Sequence, residues 1–116
     1  MIVGSSREVF SHVMESSEAK NASIKALIGP EQGWGDYVMR LVELGAGGHS
    51  PAHSHPWPHI NYVLDGEGVL QLEGKEHRLE IGHYALVPAE TFHQYRNTGE
   101  GMFRFICIVP TEGHVV

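Results

Sequence analysis

Nine histidines occur among the 116 residues, and four of them, His49, His53, His55 and His59, crowd with three prolines into the thirteen positions "GGHSPAHSHPWPH". Neutral imidazole is a common metal ligand, one ring nitrogen meeting the ion while the other is held by a neighbour. Alternate residues of an extended chain face one side, roughly 6.5–7 Å apart, so His53 and His55 can converge on a single ion. Pro56 and Pro58 flank Trp57 and cannot donate ladder hydrogen bonds, so the strand is interrupted there before it resumes at His59. Such a bend can swing His59 round to the same point, and His93, far away at the end of "GHYALVPAETFH", is available as a fourth imidazole. Cys107 is the only cysteine, which excludes an internal disulfide and a multi-cysteine metal site, so any ion is held by N and O ligands. No Ser/His/Asp or paired-carboxylate arrangement is visible, which leaves metal chemistry as the chemistry on offer.

The elements that must position these residues read as β. From about residue 23 onward, short runs ("SIKALI", "DYVMRLVEL", "HINYVL", "GVLQLEG", "HRLEI", "HYALVP", "HQYRN", "MFRFICIV") alternate with glycine- and proline-rich punctuation, the pattern of a sandwich or barrel. Asp65-Gly66 supplies the residue pair that a tight hairpin turn prefers. Residues 1–22 form a separate arm before a barrel spanning 23–116. Within the arm, "SSREVFSHVMESSEAKN" reads either as a short helix with Ser5 and Glu8 as a capping box or as an extended segment covering a sheet edge.

The spacing Gly47-x5-His53-x-His55-x3-His59-x6-Gly66 resembles the first motif of the cupin superfamily, with His59 where that motif has glutamate. Gly82-x5-Pro88-x-Glu90-x2-His93-x3-Asn97 resembles the second, with Glu90 in place of a glycine, which leaves the geometry of that turn open. The resemblance implies an all-β fold, the double-stranded β-helix or jelly-roll barrel, with a metal inside and assembly as a homodimer. It also resembles a subgroup of small cupins, some with manganese, that hold the ion by four histidines. Carried across, the ligands are His53, His55, His59 and His93. His12, His77, His83 and His114 match no motif position and are expected at the surface, and His49 is expected beside the site without ligating.

Replacing a carboxylate ligand by neutral imidazole leaves the site one unit more positive and favours an anionic ligand at an open position. Manganese or iron is expected by resemblance, while imidazole donors also suit zinc, nickel and copper. Alternation in "MFRFICIV" puts Arg104 outward and Phe103, Phe105, Cys107 and Val109 inward, which makes Phe105 and Cys107 candidates for the cavity wall. Asn61 shares the parity of His59 and is a candidate hydrogen bonder near the ion. Arg40 stands in a run apolar at both parities: inward it partners a substrate carboxylate, outward it is a surface or interface charge. Trp57 is either a lid over the pocket mouth or a dimer contact.

Eight basic against fourteen acidic residues, a formal charge of −6, argue against nucleic acid as a partner. No run approaches the roughly eighteen consecutive apolar residues of a membrane span, and no secretory leader is visible, so a cytoplasmic location is the default expectation. Together these features point to a metal-dependent oxidoreductase, dioxygenase-like, acting on a small, partly apolar anionic molecule. The alternatives are a metal-dependent decarboxylase or isomerase of a small acid or sugar, and a non-catalytic ligand- or metal-binding module.

Overall fold

A computed structural model describes residues 2–114. Nine strands form one connected antiparallel sheet that curls into a nearly closed jelly-roll barrel: β1 (His12–Val13), β2 (Lys20–Ile28), β3 (Tyr37–His49), β4 (His59–Asp65), β5 (Glu67–Leu72), β6 (Lys75–Glu80), β7 (Tyr84–Val87), β8 (His93–Asn97) and β9 (Phe103–Pro110). The hydrogen-bonded order is β6-β5-β8-β3-β9-β4-β7, with β2 pairing β1 and β3. The only helical pieces among the described residues are three 3-10 turns of three residues each, at Ser6–Glu8, Pro30–Gln32 and Thr111–Gly113.

Strict alternation builds the interior. On β9, Phe103, Phe105, Cys107 and Val109 are buried while Arg104 turns outward to pair with Glu43. On β3, Val38, Arg40, Val42 and Leu44 point the same way, and with Val63, Leu70, Leu79 and Val87 they line the barrel. The N-terminal segment is an extended arm and not a helix. Ser5 accepts a hydrogen bond from the Arg7 amide, the turn ends at Val9, and His12–Val13 then pair with Ile24 and Ser23 on β2. Along the arm Met14 packs on the core, whereas Phe10 and Val13 are exposed.

Asp65-Gly66 is not a hairpin turn. β4 and β5 do not pair; β4 lies between β9 and β7, and β5 between β6 and β8, so this dipeptide carries the chain from one side of the barrel to the other. Gly66 is required there because its φ is +77° and a Cβ would lie 2.2 Å from the Met102 carbonyl oxygen. The tight hairpin with two positive-φ residues falls instead at Glu73 (φ 49°) and Gly74 (φ 80°), between β5 and β6. Glu90 adopts φ 63°, so the turn before β8 keeps a left-handed residue without a glycine, and the Glu90 amide donates to the His55 carbonyl at 2.8 Å.

Candidate metal centre

The loop before β4 and the start of β8 are stitched together by one isolated antiparallel bridge. The His53 amide donates to the His93 carbonyl (3.1 Å) and the His93 amide to the His53 carbonyl (2.9 Å). Residues so paired project on the same side, and the two rings lie 5.0 Å apart between centroids. His55, two residues on, joins them, and the nitrogen donors of His53, His55 and His93 all fall within 4.8 Å of one another. This three-histidine cluster is the candidate metal centre. It runs from the exposed His53 to the buried His93. Trp57 stacks on His55 at 4.8 Å with planes 14° apart, while Pro56 and Pro58 hold this segment out of the ladder until β4 begins at His59.

His59 is buried against the same group, with ring centroids 4.7 Å from His93 and 4.9 Å from His55. The hydrogen bonds assign the ring protons. Nδ1–H of His93 donates to the Thr91 carbonyl at 2.8 Å and Nδ1–H of His55 to the Trp57 carbonyl at 3.1 Å, leaving each Nε2 with a bare lone pair. The Tyr95 hydroxyl spends its proton on Asn61 Oδ1 at 2.5 Å, so its oxygen accepts from His59 Nδ1–H at 3.3 Å. His59 Nε2 is then also bare, and it stands 3.2 Å from His93 Nε2. Two lone pairs facing at that distance repel unless a proton or a metal ion sits between them, and two imidazole nitrogens bound at about 2.1 Å and at right angles on one ion lie about 3 Å apart. The donor set therefore fits a divalent metal ion.

Burial favours the neutral form of His59, His93 and His53, the form ligation requires. Desolvation, followed by the neighbouring His93, pushes the His59 imidazolium down to about 3; desolvation likewise takes His93 to about 4, and it lowers His53. Burial raises the Tyr95 phenol well above its ordinary range, so it stays protonated and keeps its bond to Asn61.

The cluster opens into a cavity of about 480 Å³ whose wall includes Arg40, Trp57, Phe105 and Cys107. Arg40 is 8% exposed and points inward, donating from Nη2 to Cys107 Sγ at 3.1 Å. Asn61, matched to His59 by parity, lies one layer back: it is fully buried, holds Tyr95 and does not reach the cavity surface. Tyr95 lines the cavity and was not singled out from sequence, although it shares the inward parity of His93 and Asn97 on β8. Nor were Met14, Glu15, Ser16 and Glu18 of the arm, which cross the cavity wall. His12, His77 and His83 are exposed. His114 departs from the surface expectation: it is half-buried, with Nδ1 shielded and unpaired among the described residues, because the chain after β9 folds back until Gly113 packs on the Trp57 indole. His49, at the end of β3, bonds Ser50 and Gln94 and does not line the cavity.

The family model for the cupin domain matches residues 40–109, more than half of the chain. The chain belongs to the cupin family. Among curated relatives, quercetin 2,3-dioxygenase of Bacillus subtilis is 39% identical over 61 residues, covering 52% of this chain and 18% of the dioxygenase. The chain spans less than half the length of the curated relatives it matches. Among solved structures, the polyketide cyclase RemF from Streptomyces resistomycificus superposes with a TM-score of 0.88 at 25% identity, over 95% of this chain and 79% of the cyclase. A predicted oxalate decarboxylase from Thermotoga maritima gives 0.83 at 22% identity, over 94% and 98%, a likeness of fold. Thus this cupin shares its barrel with proteins of divergent named activities, and its own chemistry must be argued from its cavity.

Proposed function

We propose that this cupin is a metal-dependent oxidoreductase in which His53, His55, His59 and His93 hold one manganese or iron ion and a small, partly apolar anionic molecule binds in the cavity. The observation that carries the reading is the 3.2 Å approach of the bare Nε2 atoms of His59 and His93, each ring locked by an acceptor on its far side. A bound ion of this kind supplies Lewis acidity and redox chemistry toward dioxygen. The chain supplies the rest. The Thr91 and Trp57 carbonyls and the Asn61–Tyr95 pair fix the ring tautomers. Phe105, Val42 and Ile24 offer an apolar surface to the substrate body and keep bulk water away. With four neutral ligands the ion's charge is uncompensated within the cavity, which favours an anion. One relative is named a dioxygenase, in keeping with this reading.

The test is to load metal-free protein with manganese or iron, count the ligands by X-ray absorption, and follow dioxygen uptake with a panel of small enolic and carboxylic acids. Four imidazoles plus two exchangeable oxygen ligands, with uptake abolished in His59→Ala, are expected. A closed four-coordinate site would overturn the catalytic reading, and turnover under strict anaerobiosis would reassign it to decarboxylation or isomerisation.

We also propose a homodimer through the outer face of β9, β4 and β7. There Ile108, Ile60 and Leu86 form one cross-strand row and Ile106, Tyr62 and Tyr84 the next. Tyr84 is 81% and Leu86 61% exposed, and neither row carries a charge, so a second copy can meet this face without like charges opposing. Light scattering is expected to give twice the 12.8 kDa chain mass; a monomer at micromolar concentration would contradict it.

A further inference from the structure

Arg40 is a buried cation without an anion among the described residues. Its Nη2 donates to Cys107 Sγ at 3.1 Å; its Nε is buried with no partner among the described residues; and none of the ion pairs among them includes it. The other ionisable groups around it do not offset the charge. The imidazoles of His53 and His59 carry no negative charge in either protonation state, and the acidic residues on the cavity wall, Glu15 and Glu18, are exposed on the arm. Leaving a guanidinium unpaired away from water is costly, and a planar five-donor fork matches a carboxylate. Arg40 reaches His59 through Cys107, on the Nδ1 side of the ring. Cys107 Sγ stands between it and His59 Nδ1, 3.5 Å from that nitrogen, whereas the facing histidine nitrogens lie at the Nε2 edge of the same ring. The surfaces around it, Val42, Ile24 and Phe105, are apolar.

We propose that Arg40 forms a carboxylate subsite, independent of the metal, which selects monocarboxylates bearing an apolar body. The carboxylate takes the unsatisfied guanidinium donors, and the apolar body extends along Phe105 and Val42. This inference deepens the reading above by naming the substrate class, and it shares with it only the cavity. Arg40 is accordingly a specificity-determining residue. A ligand anchored there presents its far end, and not its carboxylate, to the histidines, which sets it apart from a compact anion bound on the ion alone.

The experiment uses the full chain stripped of metal, with benzoate and its neutral counterpart benzyl alcohol as probes, titrated calorimetrically. Benzoate is expected to bind about tenfold or more tightly than benzyl alcohol, the discrimination one charge-assisted contact supplies. Arg40→Met is expected to erase that preference, and Arg40→Lys, which keeps the charge and loses the fork, to retain part of it. In the absence of probe, Arg40→Met is expected to melt at the wild-type temperature or above, because it removes an uncompensated buried charge. Equal affinity of the two probes for the metal-free wild type, which needs no variant to fold, would overturn the subsite. So would benzoate binding that appears only after metal is added. Benzoate preference in a protein that takes up no metal would instead leave the subsite standing and remove the metal-dependent reading.

Discussion

Two adjacent cross-strand rows of this barrel differ by one residue in each strand and have opposite characters. Arg40, Cys107, Asn61 and Ala85 are in register on the inner face, while Met39, Ile108, Ile60 and Leu86, their chain neighbours, are in register on the outer face. The inner row carries the polar groups, with Arg40, Asn61 and Cys107 buried; the outer row is wholly apolar, and Ile60 and Leu86 stand exposed. A water-exposed barrel normally shows the reverse, and the inversion is what the two proposed roles require, a ligand inside and a second copy outside. Because the side-chain period of a strand is two, a slip of one residue would exchange the rows, and register alone keeps the donors inside.

The largest expected effect breaks the inner face. His93→Ala removes a donor from the centre of the cluster, and metal affinity is expected to fall well beyond the roughly hundredfold that loss of an outer hydrogen-bond partner costs, with far-UV circular dichroism unchanged. The outer face is broken by Tyr62→Glu, which places like charges across the proposed two-fold contact. Dimer dissociation at micromolar concentration, with metal content retained, is the expected outcome by light scattering and elemental analysis. A coupled loss of dimer and metal would show that the two faces are not independent.

Tyr95→Phe sharpens the account of the inner face. It deletes the acceptor that keeps the His59 proton on Nδ1, and a fall of about 10–100-fold in metal affinity is expected in a protein that still binds metal. Acid is a milder probe. In the unfolded chain histidine takes up a proton near 6.5, whereas in the folded metal-free protein His93 does so at about 4 and His59 at about 3. Between 6.5 and those values the unfolded state binds more protons, so the melting temperature of metal-free protein is expected to fall as pH drops through that window and to be flat with respect to these groups above it. His59→Phe should flatten part of that slope. The smallest effect is Glu90→Gly, which relieves a left-handed residue while freeing the unfolded chain, so a stabilisation of only a few tenths of a kcal/mol is expected in denaturant titration.

Much of this is legible in the chain where it is local. The alternation of β9 places Phe105 and Cys107 inward, and the HxH spacing puts His53 and His55 on one side, whereas His93 joins them by resemblance to the cupin motifs and is held there by a long-range bridge to His53. What depends on pairing partners is not. Asp65-Gly66 has the composition of a hairpin turn, but composition does not say which strands pair, and the I′-like turn formed at Glu73-Gly74 instead. The direction of Arg40 was ambiguous because β3 is apolar at both parities, a pattern that arises where both faces of a strand are covered, here with Leu41 buried beside inward-facing Arg40. Tyr95 escaped attention because its role is to hold His59, a residue thirty-six positions away.

We propose that four imidazoles, and not three, hold the one ion. Elemental analysis of metal-reconstituted wild type and His59→Ala, with X-ray absorption on both, tests it most directly: one ion per chain with four imidazole nitrogens in the wild type, and three nitrogens with a weakened ion in His59→Ala, are predicted. Wild-type protein that retains no ion, or a His59→Ala site with an unchanged nitrogen count and affinity, would contradict it.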